Sequence, residues 1–446
     1  MDDYRRVADE IAGRIVSGRL RPGDRLPTQR AFARQRGIAN STAARVYAEL
    51  SRRGLTLGEV GRGTFVRAST PRPGPALAEP SDGKIDLELN HPVVPGQAGL
   101  LAEGISPLLR PDVLDEAMRP VGTSGTAPAR ALFADLLSRP GWRPDPARIL
   151  FAANGRQAVS AAVSALVRPG ARLGVEELTY PAVRAIAARL GVTVVAIPLD
   201  EEGMIPEAVE EAARVAPLSA VYLQPTLHNP LSLSMTERRR IELAGLLSRL
   251  GVNAIEDGVW TFLRDTVPPL ASFAPERTIF VDSLSKRVAP GLGVGFMAVP
   301  EPLVPEVAAA LRAGGGMPMR FALEAATRWL TDGVVRAVAE AKRRDVGRRH
   351  RIAAERLDGF AVRDDPCSYY CWWDLPEGWR ADTFVAAAAR HGIGVTPAAA
   401  FAVDPRRAPN AVRIGLASPP EEALSRALAT LAGIARTAPE ELVSEW

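Results

Sequence analysis

The segment Ser283-Leu284-Ser285-Lys286 contains the residue types that bind an aldehyde cofactor covalently. The amine of a lysine forms a Schiff base with an aldehyde, and neighbouring serine hydroxyls can bind a phosphate on the same molecule. Ser-x-Ser-Lys is by itself a common pattern. Its position adds weight, because Lys286 follows an expected strand and is one of only three lysines in a chain with 52 arginines.

Four other polar sites follow expected strands or open expected helices. Asn154-Gly155-Arg156-Gln157 precedes a helix, whose first amides and dipole can hold a phosphate. Tyr180 can stack on a pyridine ring, and Asn229 can donate a hydrogen bond to a phenolate oxygen. Asp257 follows an apolar strand, where a carboxylate can pair with a ring nitrogen and keep it protonated. Together with the lysine, these residues would form one cofactor pocket.

Each polar residue also has a structural interpretation. Tyr180 can be a core residue, and Asp257 can cap a helix or pair with a cation. Arg413 can be one more surface arginine, although it lies in an apolar strand, where an unpaired charge is costly. His228 has no second ligand at a useful spacing, so we expect a hydrogen-bonded loop histidine and no metal site.

Beyond residue 84, short apolar stretches alternate with helical segments, which is typical of a mostly parallel sheet covered by helices on both faces. The expected strands are Ile149–Ala152, Arg172–Val175, Thr193–Ile197, Ala220–Leu223, Val252–Ile255 and Thr278–Val281. From about Arg349 the pattern predicts a smaller α+β lobe. Its expected strands are Ala361–Arg363, Tyr369–Leu375 and Val412–Leu416, and its expected helices are Ala381–His391 and Pro420–Arg436.

The first 67 residues predict a mainly α winged helix-turn-helix. Apolar spacing and capping residues indicate three helices, and two short strands with a glycine-rich tip follow them. The helices are expected over Tyr4–Ile15, Thr28–Gly37 and Asn40–Arg53, and the strands over Leu55–Leu57 and Thr64–Arg67. The residues expected to face DNA are Thr28, Arg30, Ser41, Thr42, Arg45, Arg62 and Gly63.

Charge is unevenly distributed between this head and the rest of the chain. Residues 1–67 contain fourteen arginines and seven acidic residues, a net charge of +7, whereas the whole chain carries +4. The remaining residues therefore carry about −3. A basic head on a faintly acidic body indicates a polyanionic partner for the head, although an arginine-rich composition could also make the head basic.

Residues 68–84 are rich in proline, glycine and serine and predict a linker. We therefore expect a DNA-binding domain over 1–67, the linker over 68–84, a large domain over 85–348 and a small lobe over 349–446. No apolar run reaches the roughly 18 residues of a membrane span, and the charged N-terminus is unlike a signal peptide. Cys367 and Cys371 fit neither a disulfide framework nor a zinc site, so we expect a cytoplasmic protein.

The chain resembles, over essentially its whole length, the MocR-type regulators. These are a branch of the GntR family whose effector domain has the fold of type I aminotransferases. In the head the resemblance rests on Tyr4 and Ile11, on the run Gly18–Pro27, on Arg30 and Thr42, and on Gly61–Val66. It implies a homodimer formed through the large domain, double-stranded operator DNA as partner, and pyridoxal phosphate as cofactor.

In the body the resemblance implies a role for each polar residue. Lys286 would form the Schiff base with pyridoxal phosphate, and Arg413 would hold the carboxylate of an amino-acid-like effector. The other residues expected to contact the cofactor are Gly155, Arg156, Gln157 and the two serines Ser283 and Ser285 at the phosphate, Tyr180 on the ring, Asn229 at the phenolate oxygen and Asp257 at the ring nitrogen.

Several positions depart from the family pattern. An arginine usually found seven residues after the lysine is Gly293, and a tyrosine expected near Gly125 is missing. The tyrosine after the ring-nitrogen aspartate is Trp260, and the Ser-Arg that opens the recognition helix is Ala39-Asn40. Arg156 or Arg287 can supply the missing positive charge at the phosphate, and we expect Arg156 to do so because Arg287 should point away from the pocket.

These features favour a transcription regulator that senses an amino acid or a vitamin B6 form through its pyridoxal phosphate site. Two alternatives remain at this point. One is an active aminotransferase with an appended DNA-binding head. The other is a DNA-binding protein whose body has lost the cofactor and serves only for dimerisation.

Overall fold

The computed structural model describes residues 3–16, 19–21, 23–52, 55–59, 63–66, 85–264 and 266–437. Two features expected from the sequence, the wing-tip Arg62 and the linker 68–84, lie outside the described residues. No helix in the described ranges is long and apolar enough to cross a membrane.

The head is a winged helix-turn-helix, which confirms the expected fold class. Its elements are α1 (Asp3–Val16), β1 (Arg25–Leu26), α2 (Gln29–Arg36), α3 (Asn40–Arg52), β2 (Thr56–Glu59) and β3 (Gly63–Val66). The Thr28 hydroxyl caps α2 by accepting from Ala31 N, and Gly37 ends it in the left-handed conformation with φ 64°. A small core of buried apolar residues, including Val7, Ile11, Phe32, Val46 and Leu50, holds the three helices together.

The sequence does not predict β1, since Arg21-Pro22-Gly23-Asp24 indicates only a turn. Directly after that turn the chain pairs antiparallel with β3, and the three strands have the order β1-β3-β2. The sheet is therefore anchored to the start of α2 as well as to the end of α3.

The large domain contains a seven-stranded sheet between layers of helices. Its elements are β4 (Ile85–Asp86), α4 (Gln97–Ile105), α5 (Pro111–Ala117), α6 (Ala127–Leu137), β5 (Ile149–Ala152), α7 (Gly155–Leu166), β6 (Arg172–Glu176), α8 (Pro181–Arg189), β7 (Thr193–Ile197), β8 (Leu199–Asp200), β9 (Gly203–Met204), α9 (Pro206–Val215), β10 (Ala220–Leu223), α10 (Glu237–Leu250), β11 (Asn253–Asp257), α11 (Leu270–Phe273), β12 (Thr278–Ser283), α12 (Leu284–Arg287), β13 (Gly295–Ala298), α13 (Val304–Ala313), α14 (Arg320–Thr331) and α15 (Val334–Arg356). Of these, β4 pairs with the small lobe, and β8 and β9 form a hairpin of their own.

The order of the large sheet is β5-β13-β12-β11-β10-β6-β7. Only β13 runs antiparallel to its neighbours, so the expectation of a mostly parallel sheet is confirmed. The sequence does not predict β13, because its four residues follow Gly293-Val294 and are too few to show a period. The carboxyl ends of β10, β11 and β12 meet at one edge, where ligands bind in sheets of this kind.

The small lobe consists of β14 (Val362–Arg363), β15 (Tyr370–Asp374), α16 (Ala381–Arg390), β16 (Ile393–Gly394), β17 (Thr396–Pro397), β18 (Ala411–Gly415) and α17 (Glu421–Arg436). Four of its strands form an antiparallel sheet in the order β14-β15-β18-β17, and β16 pairs in parallel with β4. The helix α15 contributes Val335 to a core of the large domain and Ala353 to the core of the lobe. The exact domain boundaries remain predictions.

Candidate functional site

A cavity of about 770 Å³ lies where the large sheet, the start of α7 and the small lobe meet. Its wall contains residues from the ends of β10, β11 and β12, together with β17 and β18 of the lobe. The sequence-predicted residues in this wall are Gly155, Arg156, Tyr180, Asn229, Asp257, Ser283, Ser285, Lys286 and Arg413. The structure therefore brings together nine of the ten residues expected around a cofactor and its ligand.

The tenth, Gln157, is not part of this wall. Its backbone N–H donates to Asn154 Oδ1 over 3.0 Å, which caps the first turn of α7. Its side chain lies beside Gly316, where an added Cβ would be 3.3 Å from Gln157 Cβ. The proposed phosphate contact of Gln157 therefore has less geometric support than that of Gly155 or Arg156.

Lys286 enters the cavity from α12, the short helix that directly follows β12. Its Nζ donates a hydrogen bond to the carbonyl of Asn90 and lies 5.5 Å from the centre of the Trp260 ring. Burial, and then the positive charges of Arg413 and Arg156, lower the pKa of Lys286 to about 7. A substantial fraction of this amine is therefore uncharged and nucleophilic at neutral pH.

Asp257 also lines the cavity, as the last residue of β11. Its Oδ2 accepts from Tyr222 Oη at 2.6 Å and from Gln224 Nε2 at 2.9 Å, and its Oδ1 accepts from Val259 N at 3.1 Å. Burial raises the pKa of Asp257, while these three hydrogen bonds favour its charged form. A protonated ring nitrogen is a suitable further partner for this carboxylate.

Sequence reasoning missed Tyr222 and Gln224. Gln224 N donates to Glu176, its side-chain oxygen accepts from Asn229 N, and its amide donates to Asp257. One glutamine thus connects the two residues expected at the ring nitrogen and the phenolate oxygen. Tyr222 and Gln224 are two residues apart, so their side chains lie on the same face at the end of β10. This spacing was the one sequence signal that could have linked them to the site.

His228 contacts this network through Glu176, which also accepts a hydrogen bond from Gln224. Its Nε2 lies 3.2 Å from Glu176 Oε2 and its Nδ1 accepts from Leu231 N, with both side chains almost fully buried. Among the described residues, no group of three or more His, Cys, Asp or Glu side chains could hold a metal ion. The His228 side chain is therefore held in its loop by contacts with Glu176 and Leu231.

A narrow cradle formed by β12, α7 and β13 suits a phosphate. An added Cβ at Gly155 would be 3.1 Å from Ser283 Oγ, and one at Gly295 would be 2.4 Å from Asn154 O. Within the described residues, the N–H groups of Gly155 and Arg156 have no acceptor, and they open the twelve-residue helix α7. Free amides at a helix N-terminus beside serine hydroxyls are a suitable donor set for a phosphate.

The two arginines near this cradle have different surroundings. Arg156 is exposed and its Nε donates to Tyr180 Oη at 3.0 Å, so its guanidinium lies at the cavity wall. Arg287 is buried, pairs with Asp282 at 2.6 Å and lies over the ring of Phe262. These contacts hold Arg287 inside the protein and leave Arg156 as the arginine nearer the cradle.

Arg413 in β18 reaches the cavity from the lobe side. It donates to Asn229 Oδ1 at 3.0 Å, to the carbonyl of Glu88 and to Thr396 Oγ1 at 3.4 Å, and its Nε has no acceptor in the described part of the chain. Burial lowers its pKa to about 10. A buried guanidinium whose hydrogen-bond acceptors include no carboxylate is suited to bind the carboxylate of a ligand.

His91 also lines the cavity, next to Asn90. Burial, and then the positive charges of Lys286 and Arg156, lower the pKa of His91 to about 4, although Asp86 acts in the opposite direction. Its imidazole is therefore neutral at physiological pH and offers one donor and one acceptor to a ligand.

In the head, Arg30, Ser41 and Arg45 are exposed and Thr42 is half-buried. The guanidinium of Arg45 lies 4.3 Å from the centre of the Tyr4 ring, while Thr28 Oγ1 is occupied by capping α2. Gly63, with φ 120°, packs against the guanidinium of Arg25, since an added Cβ would be 2.8 Å from Arg25 Nε. The exposed Arg25 is a further basic residue beside the wing that sequence reasoning did not select.

Comparisons with known proteins agree with both parts of this description. Residues 3–66 match the family described as bacterial regulatory proteins, gntR family. The HTH-type transcriptional regulator YdeF of Bacillus subtilis (strain 168) is 28% identical over 421 residues, which cover 93% of this chain and 90% of that protein. The HTH-type pyridoxine biosynthesis transcriptional regulator PdxR of Corynebacterium glutamicum is 27% identical over 363 residues, covering 79% of this chain and 78% of that protein.

Solved structures that share the fold of the body include several aminotransferases. A kynurenine aminotransferase of Pyrococcus horikoshii has a TM-score of 0.72 at 23% identity and covers 82% of this chain and 92% of its own. An archaeal alanine:glyoxylate aminotransferase also has a TM-score of 0.72, at 21% identity, and covers 79% of this chain and 91% of its own. The chain has the MocR-type architecture. A GntR-type head is joined to a body with the fold of type I aminotransferases.

Three departures from the MocR-type pattern have local structural reasons. Gly125 has φ 58°, and an added Cβ would be 2.6 Å from the Phe151 ring, so this position leaves no room for a tyrosine. An added Cβ at Gly293 would lie 3.3 Å from Pro290 O, a tight contact with the backbone, and 3.4 Å from Ser285 Oγ. Trp260 is buried, with its ring edge-to-face against Tyr370 and beside Lys286.

Proposed function

We propose that this protein is a DNA-binding transcription regulator whose body binds pyridoxal phosphate at Lys286 and senses an amino-acid or B6-type effector. The observation that supports this most strongly is the presence, in one cavity, of a lysine of lowered pKa and a buried arginine whose acceptors among the described residues include no carboxylate. This pair lies in the body of a chain with a GntR-type head.

The residues of the cavity match the parts of the cofactor. The free amides of Gly155 and Arg156, the hydroxyls of Ser283 and Ser285, and the Arg156 guanidinium would hold the phosphate. The Tyr180 ring would pack on the pyridine, Asn229 would face its phenolate oxygen and Asp257 its ring nitrogen. When bound, pyridoxal phosphate supplies an electrophilic carbon that exchanges between the lysine amine and a ligand amine.

The effector side of the cavity favours a ligand with an amine and a carboxylate. Arg413 can release Asn229 Oδ1 and the Glu88 carbonyl and offer two parallel donors to a carboxylate. The neutral His91 suits a polar, uncharged group further along the ligand. A B6-type effector also remains within the proposal, since one relative is named for pyridoxine biosynthesis.

A homodimer is part of the proposal. Met118 and Met319 are 74% and 72% exposed, and they lie beside the ion pair that joins Glu116 of α5 to Arg320 of α14. Leu109, just before α5, is 60% exposed. Exposed apolar side chains grouped on adjacent helices are typical of a protein interface.

The experiment is to purify the full-length protein with pyridoxal phosphate and record its absorption spectrum with and without borohydride, next to Lys286→Ala. We expect an absorption band near 420 nm and a borohydride-stable adduct in the wild type but not in Lys286→Ala. In a gel-shift experiment, we expect the wild-type protein to bind DNA from upstream of its own gene. DNA binding without any cofactor band would contradict the sensor and favour the dimerisation platform. Rapid, complete amino-group exchange with a common amino acid would favour the aminotransferase alternative.

A further inference from the structure

Lys342 of α15 is fully buried, and its ammonium contacts the main chain of the segment that carries Lys286. Lys342 Nζ donates to the carbonyl of Lys286 itself at 2.9 Å and to the carbonyl of Val288 at 2.6 Å. We infer that Lys342 is a positioning residue for Lys286, which fixes the backbone of the reactive lysine and disfavours a charge on its amine. This inference rests on the function proposed above.

The choice of lysine at this position needs a reason. The chain uses arginine for 52 of its 55 basic residues, and a buried ammonium without an acidic partner is costly. Lysine differs from arginine in placing a compact point charge at the end of a flexible stem. Two converging carbonyls at the end of a four-residue helix need such a donor, because the last carbonyls of a helix lack intrahelical partners.

Contacts on both sides hold this arrangement in place. The carbonyl of Val288 also accepts from Gln97 Nε2 at 3.0 Å, and the carbonyl of Lys342 accepts from Tyr369 Oη at 2.9 Å. The Lys286 side chain in turn donates to Asn90 O. The reactive lysine is thus restrained at its carbonyl by Lys342 and at its amine by the segment leading to His91.

The charges around Lys342 are mostly positive. Asp345, one turn along α15, already accepts from Arg348, Arg349 and Tyr369 Oη. Burial, then Lys286, lowers the pKa of Lys342 to about 7, with Asp345 opposing and Arg287 adding to the effect. Because repulsion between two ammonium groups is mutual, a charge on Lys342 favours the uncharged amine of Lys286. Arg413, Arg156 and the nearby imidazole of His91 face Lys286 from the cavity side.

The test measures the reactivity of Lys286 in full-length protein from which pyridoxal phosphate has been removed. A short pulse of acetic anhydride at a series of pH values, followed by peptide mass spectrometry, gives the pH midpoint of labelling for each of the three lysines. We expect a wild-type midpoint near pH 7 for Lys286. In Lys342→Met and Lys342→Gln we expect this midpoint to rise by about one pH unit, since the like charge is lost. Pyridoxal phosphate affinity should fall roughly tenfold through loss of the two carbonyl contacts.

Arg349→Met is the matched control. Arg349 is a buried cation of the same helix that also donates to two backbone carbonyls, those of Leu416 and Pro419, but does not contact the Lys286 segment. The Arg349→Met variant should have a lower melting temperature than the wild type but the same pH midpoint for the labelling of Lys286. Lys342→Gln retains an amide NH2 group that can donate to the carbonyls of Lys286 and Val288, and it is used for the test if Lys342→Met does not fold. A wild-type midpoint above pH 9, an unchanged midpoint in the Lys342 variants, or an equal rise in Arg349→Met would each overturn the inference.

The labelling result is independent of the proposed function. If wild-type protein fails to bind pyridoxal phosphate, the sensor proposal fails while the midpoints still report whether Lys342 acts on Lys286. If the cofactor binds but the midpoints do not move, only the role of Lys342 is rejected.

Discussion

Arg156 and Arg287 directly follow two candidate cofactor-binding residues, Gly155 and Lys286, and their contacts indicate different roles. Arg156 is exposed at the cavity wall, whereas Arg287 neutralises the buried Asp282. Arg156 is therefore available to bind a ligand, whereas Arg287 stabilises the fold through its ion pair. The sequence favours Arg156 only through the expectation that Arg287, directly after Lys286, points away from the pocket, whereas the structure gives each arginine its contacts.

Arg156→Ala should therefore raise the dissociation constant of pyridoxal phosphate by roughly tenfold to a hundredfold, because a charge-assisted contact is lost. Arg287→Ala should leave Asp282 buried without a partner and reduce the free energy of unfolding by about 3–5 kcal/mol. Absorbance titration with the cofactor and chemical denaturation, applied to both variants, measure the two effects. Stronger loss of cofactor affinity in folded Arg287→Ala than in Arg156→Ala would show that the phosphate charge is assigned to the wrong arginine.

At the scale of single elements, α2 and α3 of the head carry most of the described residues that we expect to contact DNA. Arg30 and Arg36 are both on α2, but Arg36 pairs with Glu10 of α1 at 3.0 Å and lies over the Phe32 ring. Arg30 has no such contact in the described part of the chain and is exposed. The same helix therefore offers a test residue and a control of the same type.

Arg30→Ala should weaken binding of the protein to its own upstream DNA by about tenfold or more, since a base or phosphate contact is lost. Arg36→Ala should change it little. Fluorescence anisotropy at several salt concentrations measures both variants, and wild-type affinity should fall steeply with salt because several phosphate contacts release counterions. Equal losses in the two variants would indicate that α2 does not face the DNA as proposed.

The sequence predicts best those helices and strands that show an apolar pattern over several residues or have clear capping residues at their ends. Thr28 and Gly37 mark α2, and the apolar runs of β5, β6, β7 and β10 appear directly in the sequence. β1 and β13 have two and four residues, too few to show a period, and each is defined only by its partner strand.

The site was predictable to a similar degree. Residues with distinctive chemistry, such as Lys286 and Asp257, could be selected from their place after strands. Tyr222, Gln224 and Lys342 could not, because their relevance depends on distances between segments far apart in the chain. Lys342 in particular lies 56 residues from the lysine whose carbonyl it contacts.

At the scale of the whole molecule, the exposed residues around α5 and α14 predict a dimer interface in the body. Met118→Glu combined with Met319→Glu should shift the protein towards monomer at micromolar concentration, because charged groups would be buried in an apolar contact. Val215→Glu is the control, since Val215 of α9 is 70% exposed without belonging to this patch. Sedimentation velocity gives the mass of each species, and a wild-type protein that is already monomeric would contradict the interface.

The first described residues of the body connect the cavity to the part of the chain that leads back to the head. Ile85 and Asp86 pair with β16, the carbonyl of Glu88 accepts from Arg413, and the carbonyl of Asn90 accepts from Lys286. A cofactor on Lys286 and a carboxylate on Arg413 would compete for those same two donors. Filling the cavity would therefore release the carbonyls of Glu88 and Asn90 from these two side chains, a few residues after the expected linker 68–84. Under the proposed function, this release would let an occupied cavity alter the segment of chain that leads towards the DNA-binding head.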